Sequence, residues 1–308
     1  MDIFIDKIYY LCKNFKIVKD MQKSLMTDLN RLLSRQNFKD DKELQAFIDK
    51  YNGTSLDDLP EMDLTPEEQA QDLVSDAYEL TSAKAKKNIE KALEIDPNCI
   101  DAYEFLAIKE KKIEKALEFL EKGITIGRKK FGGKFLKKNK GEFWGWHETR
   151  PFMRCLNAKA DILIMMEKIA EGVAIMEEML ELNSSDNQGV RYSLLSALVM
   201  LDDADKFKKY DKMFANEKDS AQILYSRALF AFKTEGDSVN ARNKLKTAFE
   251  KNPFVLKTMI DDDFDCSQFS SYSSGSPEEA KVYLRYALLA WCKTEGALQW
   301  LMNTVEKC

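Results

Sequence analysis

A single histidine, His147, is all the imidazole this 308-residue chain holds. That excludes histidine-rich metal sites and leaves at most one Ser-His or Cys-His pairing, which no G-x-S-x-G motif accompanies. The six cysteines, Cys12, Cys99, Cys155, Cys266, Cys292 and Cys308, contain no C-x-x-C pair, so neither a zinc cluster nor a disulfide framework is expected. Reduced, mostly buried thiols fit a cytoplasmic compartment. No apolar run approaches the roughly 20 residues of a membrane span, and Asp2, Asp6 and Lys7 break the N-terminal stretch before it reaches signal-peptide length. Asp261, Asp263 and Asp265 open like a calcium loop, but Cys266 and Tyr272 stand where the loop needs Gly and Glu. No metal, no cofactor and no enzymatic activity are expected on these grounds. With only 12 Gly and 6 Pro there is little to interrupt helices.

What is present is a recurring helical spacing. Ala85, Ile89, Ala92, Leu93 and Pro97 place a small residue, an apolar one four later, a small-apolar pair, and a proline four beyond. Ala241, Leu245, Ala248, Phe249 and Pro253 repeat it without a gap, and Gly172, Met176, Met179, Leu180 and Ser184 repeat it with Met and Ser substituted. Ala116, Leu120, Gly123 and Ile124 give a copy without the breaker. Small residues let neighbouring helices approach, large ones fill the space, and Pro ends the helix; this is the second helix of a tetratricopeptide repeat. The expected fold is therefore an all-α tetratricopeptide-like helical solenoid of antiparallel helix pairs in a right-handed superhelix.

Helix signals set the organisation. Residues 1–27 read as an N-terminal helical extension, 28–260 as the repeat array, 261–276 as a polar linker and 277–308 as C-terminal capping helices. Thr65-Pro66-Glu67-Glu68 and Ser276-Pro277-Glu278-Glu279 are both helix starts of the capping-box kind. Between them, 128–150 reads as a long basic and aromatic loop.

Charge is uneven. Tyr51 to Ala83 carries nine acids and no Lys or Arg, while Arg128, Lys129, Lys130, Lys134, Lys137, Lys138 and Lys140 fill a stretch without acids. Those seven bases leave 40 against 52 acids in the rest of the chain, so two opposed local fields are expected. Phe131 and Phe135 interleave with the bases as stacking on nucleic acid requires, but the pI near 5.3 and the lack of a nucleic-acid module favour a solvated loop or one docked on an acidic face.

The second candidate site gathers Trp144, Trp146, His147, Glu148, Arg150 and Arg154 with Asn187 and Arg191 one helix pair later. Guanidinium forks and an amide suit a carboxylate or phosphate. The plainer reading has Thr149 or Arg150 and Asp186 capping helices and the tryptophans anchoring the loop. Glu148 is the expected internal partner of Arg154 or Arg191.

Glu148-Thr149-Arg150-Pro151-Phe152-Met153-Arg154, Asp186-Asn187-Gln188-Gly189-Val190-Arg191-Tyr192 and Gly296-Ala297-Leu298-Gln299-Trp300-Leu301 occur in that order. In them the chain resembles bacterial tetratricopeptide proteins related to the suppression-of-tumorigenicity-seven family, from about residue 28 to the end. Glu295 departs from the Pro usual in that pattern. The resemblance implies an all-helical repeat fold and a scaffold role, and it supplies no catalytic residues. The expectation is a protein-interaction scaffold that takes a protein or peptide, with an acidic or carboxylate feature, in a concave groove. The alternative is phosphate or nucleic-acid binding through 128–140.

Overall fold

The computed structural model describes residues 31–33, 35–51, 60, 62–261 and 271–305. The expected extension over 1–27 and most of the linker, with Asp263, Asp265 and Cys266, lie outside the described residues. Those described are helical; the only strand-like pairing among them is an isolated bridge of Gly141 and Glu142 with Asn183. Where the sequence suggests one array over 28–260, they group into two compact units that meet in sequence at Leu106 and Ala107, and each is taken by itself.

The first unit holds α1 (Asp41–Tyr51), α2 (Pro66–Ala77), α3 (Ser82–Ile95) and most of α4 (Ile100–Lys109). Thr65 Oγ1 accepts the Glu68 N–H at 3.2 Å and the Glu68 carboxylate accepts the Thr65 N–H at 2.8 Å, the reciprocal pair expected of this start. α2 and α3 pair as a hairpin around Ala70, Val74, Ala77, Ala85, Ile89 and Ala92, with Cys99, Ala102 and Phe105 completing the core. Ala92 is fully buried, as the small position of the repeat spacing requires. Burial and then the nearby Asp101 charge push the Cys99 thiol up to about 12, so it stays an inert core thiol.

In the second unit the chain continues through α5 (Ile113–Lys130), α6 (Gly133–Asn139), two single 3-10 turns (Phe143–Gly145 and His147–Thr149), α7 (Arg150–Met165), α8 (Ile169–Leu182), α9 (Val190–Leu201), α10 (Ala204–Met213), α11 (Ala221–Glu235), α12 (Val239–Lys251), α13 (Phe254–Ile260), α14 (Pro277–Lys293) and α15 (Ala297–Val305). α7 pairs with α8, α9 with α10, and α11 with α12. The repeat spacings sit on the buried stripe of each second helix: Gly172, Met176 and Met179 on α8, and Ala241, Leu245 and Ala248 on α12. On α5 the stripe is Ala116, Leu120, Gly123 and Ile124.

Gly127, one turn beyond that stripe, shows why small residues are needed. A Cβ there would lie 2.6 Å from Phe152 Cγ and 2.9 Å from its Cβ, so α5 and α7 touch backbone to ring. Alanine ordinarily helps a helix by about 1 kcal/mol over glycine. Gly127→Ala is nevertheless expected to destabilise the protein by about 2 kcal/mol in urea titration, because the stem of Phe152 cannot swing away as a flexible tip could.

The segment 128–150 is not the long loop the sequence suggests. Arg128 to Lys130 form the last turn of α5, α6 follows at once, and the two 3-10 turns lead into α7. The cause is an aromatic cluster: Phe131 lies 5.3 Å from Phe135, 6.4 Å from Phe143 and 6.2 Å from Phe152, ring centre to ring centre. Burying these rings offsets the entropy of ordering the segment.

Candidate functional site

Two places bear on function: the face formed by the first helices of successive pairs, where the expected groove would lie, and the outer basic segment.

On the first face, α9 and α11 are covered by this chain's own α14. Between Glu279 and Trp291 the helix has no solvent-exposed residue, and Ala280, Tyr283, Leu284, Ala287, Ala290 and Trp291 are fully buried. It packs against α9, α11 and α13 and runs in the same direction as α11. Glu279 accepts the Ala221 N–H at 3.0 Å at the start of α11. The Tyr283 ring lies 5.5 Å from that of Tyr225, one turn along α11. Near the far end, Trp300 of α15 stacks on Phe232 at 4.4 Å, and Lys293 pairs with Glu167 just past α7 at 2.6 Å. The C-terminal helices thus line the face instead of only closing the end of the array.

Glu279 is the anchor of this arrangement. Besides Ala221 N–H it accepts Asn252 Nδ2–H at 2.9 Å and the Gly275 N–H at 2.7 Å, while Ser276 Oγ caps its own N–H at 3.1 Å. Tyr225 donates to the Asn252 carbonyl at 2.7 Å, and Trp291 Nε1–H donates to the Tyr283 hydroxyl at 2.7 Å. Apart from the Tyr225–Asn252 bond, which ties α11 to the end of α12, these hydrogen bonds join α14 or its lead-in to the array or stiffen α14 itself.

Asp161 on α7 is buried on this side. Burial pushes its carboxyl up to about 7, against the opposing pull of the Arg285 guanidinium on α14. In the unfolded chain the group titrates near 3.8. Between those values the native state holds a proton that the unfolded state has lost, so stability falls as pH rises from about 4 to about 7 and is flat above. Asp161→Asn removes that penalty. It is expected to be more stable than the parent at pH 8 by roughly 1–3 kcal/mol and close to it at pH 4, a difference read from urea midpoints at the two pH values.

The arginine and tryptophan candidates fall into two clusters. Arg191 is ion-paired within the chain: its Nη1–H donates to Asp186 Oδ2 at 2.8 Å and to the Asp186 carbonyl at 3.2 Å, its guanidinium stacks over Tyr192, and its buried Nε lies 3.0 Å from Glu217 Oε1 without hydrogen-bond geometry. Asp186 also accepts the N–H groups of Val190 at 2.7 Å and Arg191 at 3.0 Å, which supplies the cap foreseen for this helix, from the loop instead of the formal cap position at Gly189. The acid that holds Arg191 is therefore not Glu148, which is exposed. Asn187 is exposed in the same turn.

Arg150 and Arg154 form the second cluster with Trp144 and His147. Arg150 Nε–H donates to the Trp144 carbonyl at 3.0 Å and its guanidinium lies 5.6 Å from the Trp144 ring. Partial burial and then the Arg154 charge hold Arg150 below the usual guanidinium range. Partial burial and then Arg150 hold the His147 imidazole below its ordinary value, which keeps it neutral near pH 7. Thr149 does not cap α7 with its side chain; Oγ1–H donates back to the carbonyls of Phe143 and, at 2.8 Å, Trp146, locking the two 3-10 turns. Gln188 Nε2–H reaches the Met153 carbonyl at 3.4 Å, so the starts of α7 and α9 lie close together.

The basic segment is clamped at both ends to α8. Arg128 pairs with Glu178 at 2.8 Å and Lys140 with Glu181 at 2.9 Å. Next to Lys140, Gly141 N–H donates to the Leu182 carbonyl at 3.1 Å and Ser184 N–H donates to the Gly141 carbonyl at 2.9 Å. Lys130 lies over the Phe131 ring at 5.3 Å. Lys129, Lys134, Lys137 and Lys138 are exposed, and none pairs with a carboxylate among the described residues. Beside them Trp146 is 43% exposed, its ring 6.2 Å from that of Phe135 on α6.

Among the described residues there is no group of His, Cys, Asp or Glu placed to hold a metal ion, and no helix long and apolar enough to cross a membrane. No protein-family model, curated protein or solved structure matches this chain.

Proposed function

We propose that this chain is a non-enzymatic interaction scaffold, a tetratricopeptide-like array of the kind its resemblance to the suppression-of-tumorigenicity-seven relatives implies. Its partner is a protein, held on the outer surface made by the end of α5, α6 and Trp146. The observation that carries this is the row of exposed lysines without a carboxylate partner among the described residues, on an element fixed by the aromatic cluster and by ion pairs at both ends. A rigid charged surface with an aromatic at its edge loses little entropy on binding. This reading is preferred to the groove because α9 and α11, the first helices of two pairs, pack against α14. The missing nucleophile motif supports a binding role over a catalytic one.

Affinity capture from cytosol, with the full chain and with K134E/K137E/K138E as parallel baits, tests the reading. Partners held by the parent and lost by the variant agree with it. A set of partners identical on both baits, or none on either, contradicts it. The alternative, a phosphate or nucleic-acid binder, rests on the same lysines and requires capture to survive protease treatment of the bound fraction but not nuclease.

A further inference from the structure

We propose that the α5–α6 surface takes a short acidic peptide segment, its carboxylates on Lys129, Lys134, Lys137 and Lys138 and one apolar side chain against Trp146 and Phe135. This rests on the scaffold reading in taking the partner to be a protein, and adds its chemistry.

The charge distribution comes first. The acids of α8 pair with the two flanking bases, Arg128 and Lys140, while four of the five lysines between them, Lys129, Lys134, Lys137 and Lys138, have no carboxylate partner among the described residues. Like charges three and four residues apart on a helix repel by a few tenths of a kcal/mol per pair. Lys134, Lys137 and Lys138 stand at that spacing on α6, so an anion laid along the helix relieves a repulsion built into the free protein.

Size comes next. A seven-residue helix is about 10 Å long, close to one Debye length at physiological salt. An extended peptide advances about 3.3 Å per residue with alternate side chains on one side, so about two carboxylates on one side span the helix. Nucleic acid fits less well. Outside this segment the chain carries 40 bases against 52 acids, and a polyanion longer than the surface would run into that field.

Trp146 supplies the anchor. It is among the few large apolar side chains left exposed, yet it is not loose: its carbonyl accepts Thr149 Oγ1–H and its ring rests on Phe135, whose helix carries the lysines. A fixed, half-exposed tryptophan at the edge of a charged surface is where interface energy concentrates. The preferred ligand is acidic and apolar together, not acidic alone.

The test uses the full chain and fluorescence anisotropy with three labelled probes of ten units each: alternating glutamate and leucine, glutamate alone, and oligothymidylate. The glutamate–leucine peptide should bind, glutamate alone more weakly. K134E/K137E/K138E should weaken the mixed peptide at least about tenfold, and Trp146→Ala should weaken it about tenfold while moving the glutamate peptide little. Lys246→Glu, on exposed α12 surface, should leave both unchanged. Thermal melts of all variants confirm folding. The proposal is overturned if the mixed peptide does not bind, if it binds the triple variant equally, or if oligothymidylate binds as tightly as the peptide. Failure here with native partners still lost by the triple variant removes the acidic-peptide chemistry and leaves the scaffold reading; identical native partners on both baits removes the scaffold reading itself.

Discussion

Trp291→Ala is expected to lower stability by about 4 kcal/mol, the upper range for deleting a fully buried aromatic. The indole fills space on the buried side of α14, and its Nε1–H donates to the Tyr283 hydroxyl at 2.7 Å. Truncation leaves a cavity and removes that bond together. Urea denaturation followed by circular dichroism measures the loss. A cost below about 1 kcal/mol would mean that α14 is peripheral, since exposed or loosely held tryptophans cost little.

Glu279→Ala should cost nearly as much, about 3–4 kcal/mol, for a different reason. Its carboxylate serves the Ala221 N–H, Asn252 Nδ2–H and the Gly275 N–H, and all three donors lose an acceptor when it is removed. A buried donor left unpaired costs roughly 1–3 kcal/mol, more when the lost acceptor was charged. Glu279→Gln keeps the shape and one acceptor oxygen, so it should fall between the parent and the alanine variant in the same titration. Equal stability of the Gln and Ala variants would contradict the account, because the bonds would then contribute nothing beyond shape.

How far these features are legible in the residues depends on how local their causes are. Ala92, Gly172 and Ala248 mark close helix approaches by their own size, so the hairpin pattern can be read from spacing alone. The helix start at Thr65 is equally local: both halves of its capping box lie within four residues. Ser276-Pro277-Glu278-Glu279 looks the same and does open a helix, yet Glu279 spends its carboxylate on Ala221 and Asn252, residues 58 and 27 positions away. No local pattern reveals that.

The basic segment was hidden for a related reason. Gly132-Gly133 and the run of lysines read as a loop, while the cluster that orders it draws Phe131, Phe135, Phe143 and Phe152 from separate elements at irregular spacing. Arg191 shows both cases at once. Asp186, five residues back, is findable by capping logic; Glu217 comes from the far side of α10. On α14, Tyr283, Leu284, Ala287, Leu288, Ala290 and Trp291 form a broad apolar stripe of large side chains, which a helix that only closes the end of an array does not need.

α14 packs on α9 and α11 as part of the native core, and the recognition surface proposed above therefore lies elsewhere, on α5, α6 and Trp146. Native-state hydrogen exchange on the full chain tests this most directly. Amides of α14 should exchange only with global unfolding, at the same free energy as those of α9 and α11 against which it packs. Exchange of α14 through a separate opening at least about 2 kcal/mol below α9 and α11 would contradict the claim, because the helix would then be a displaceable occupant and the inner face a binding site.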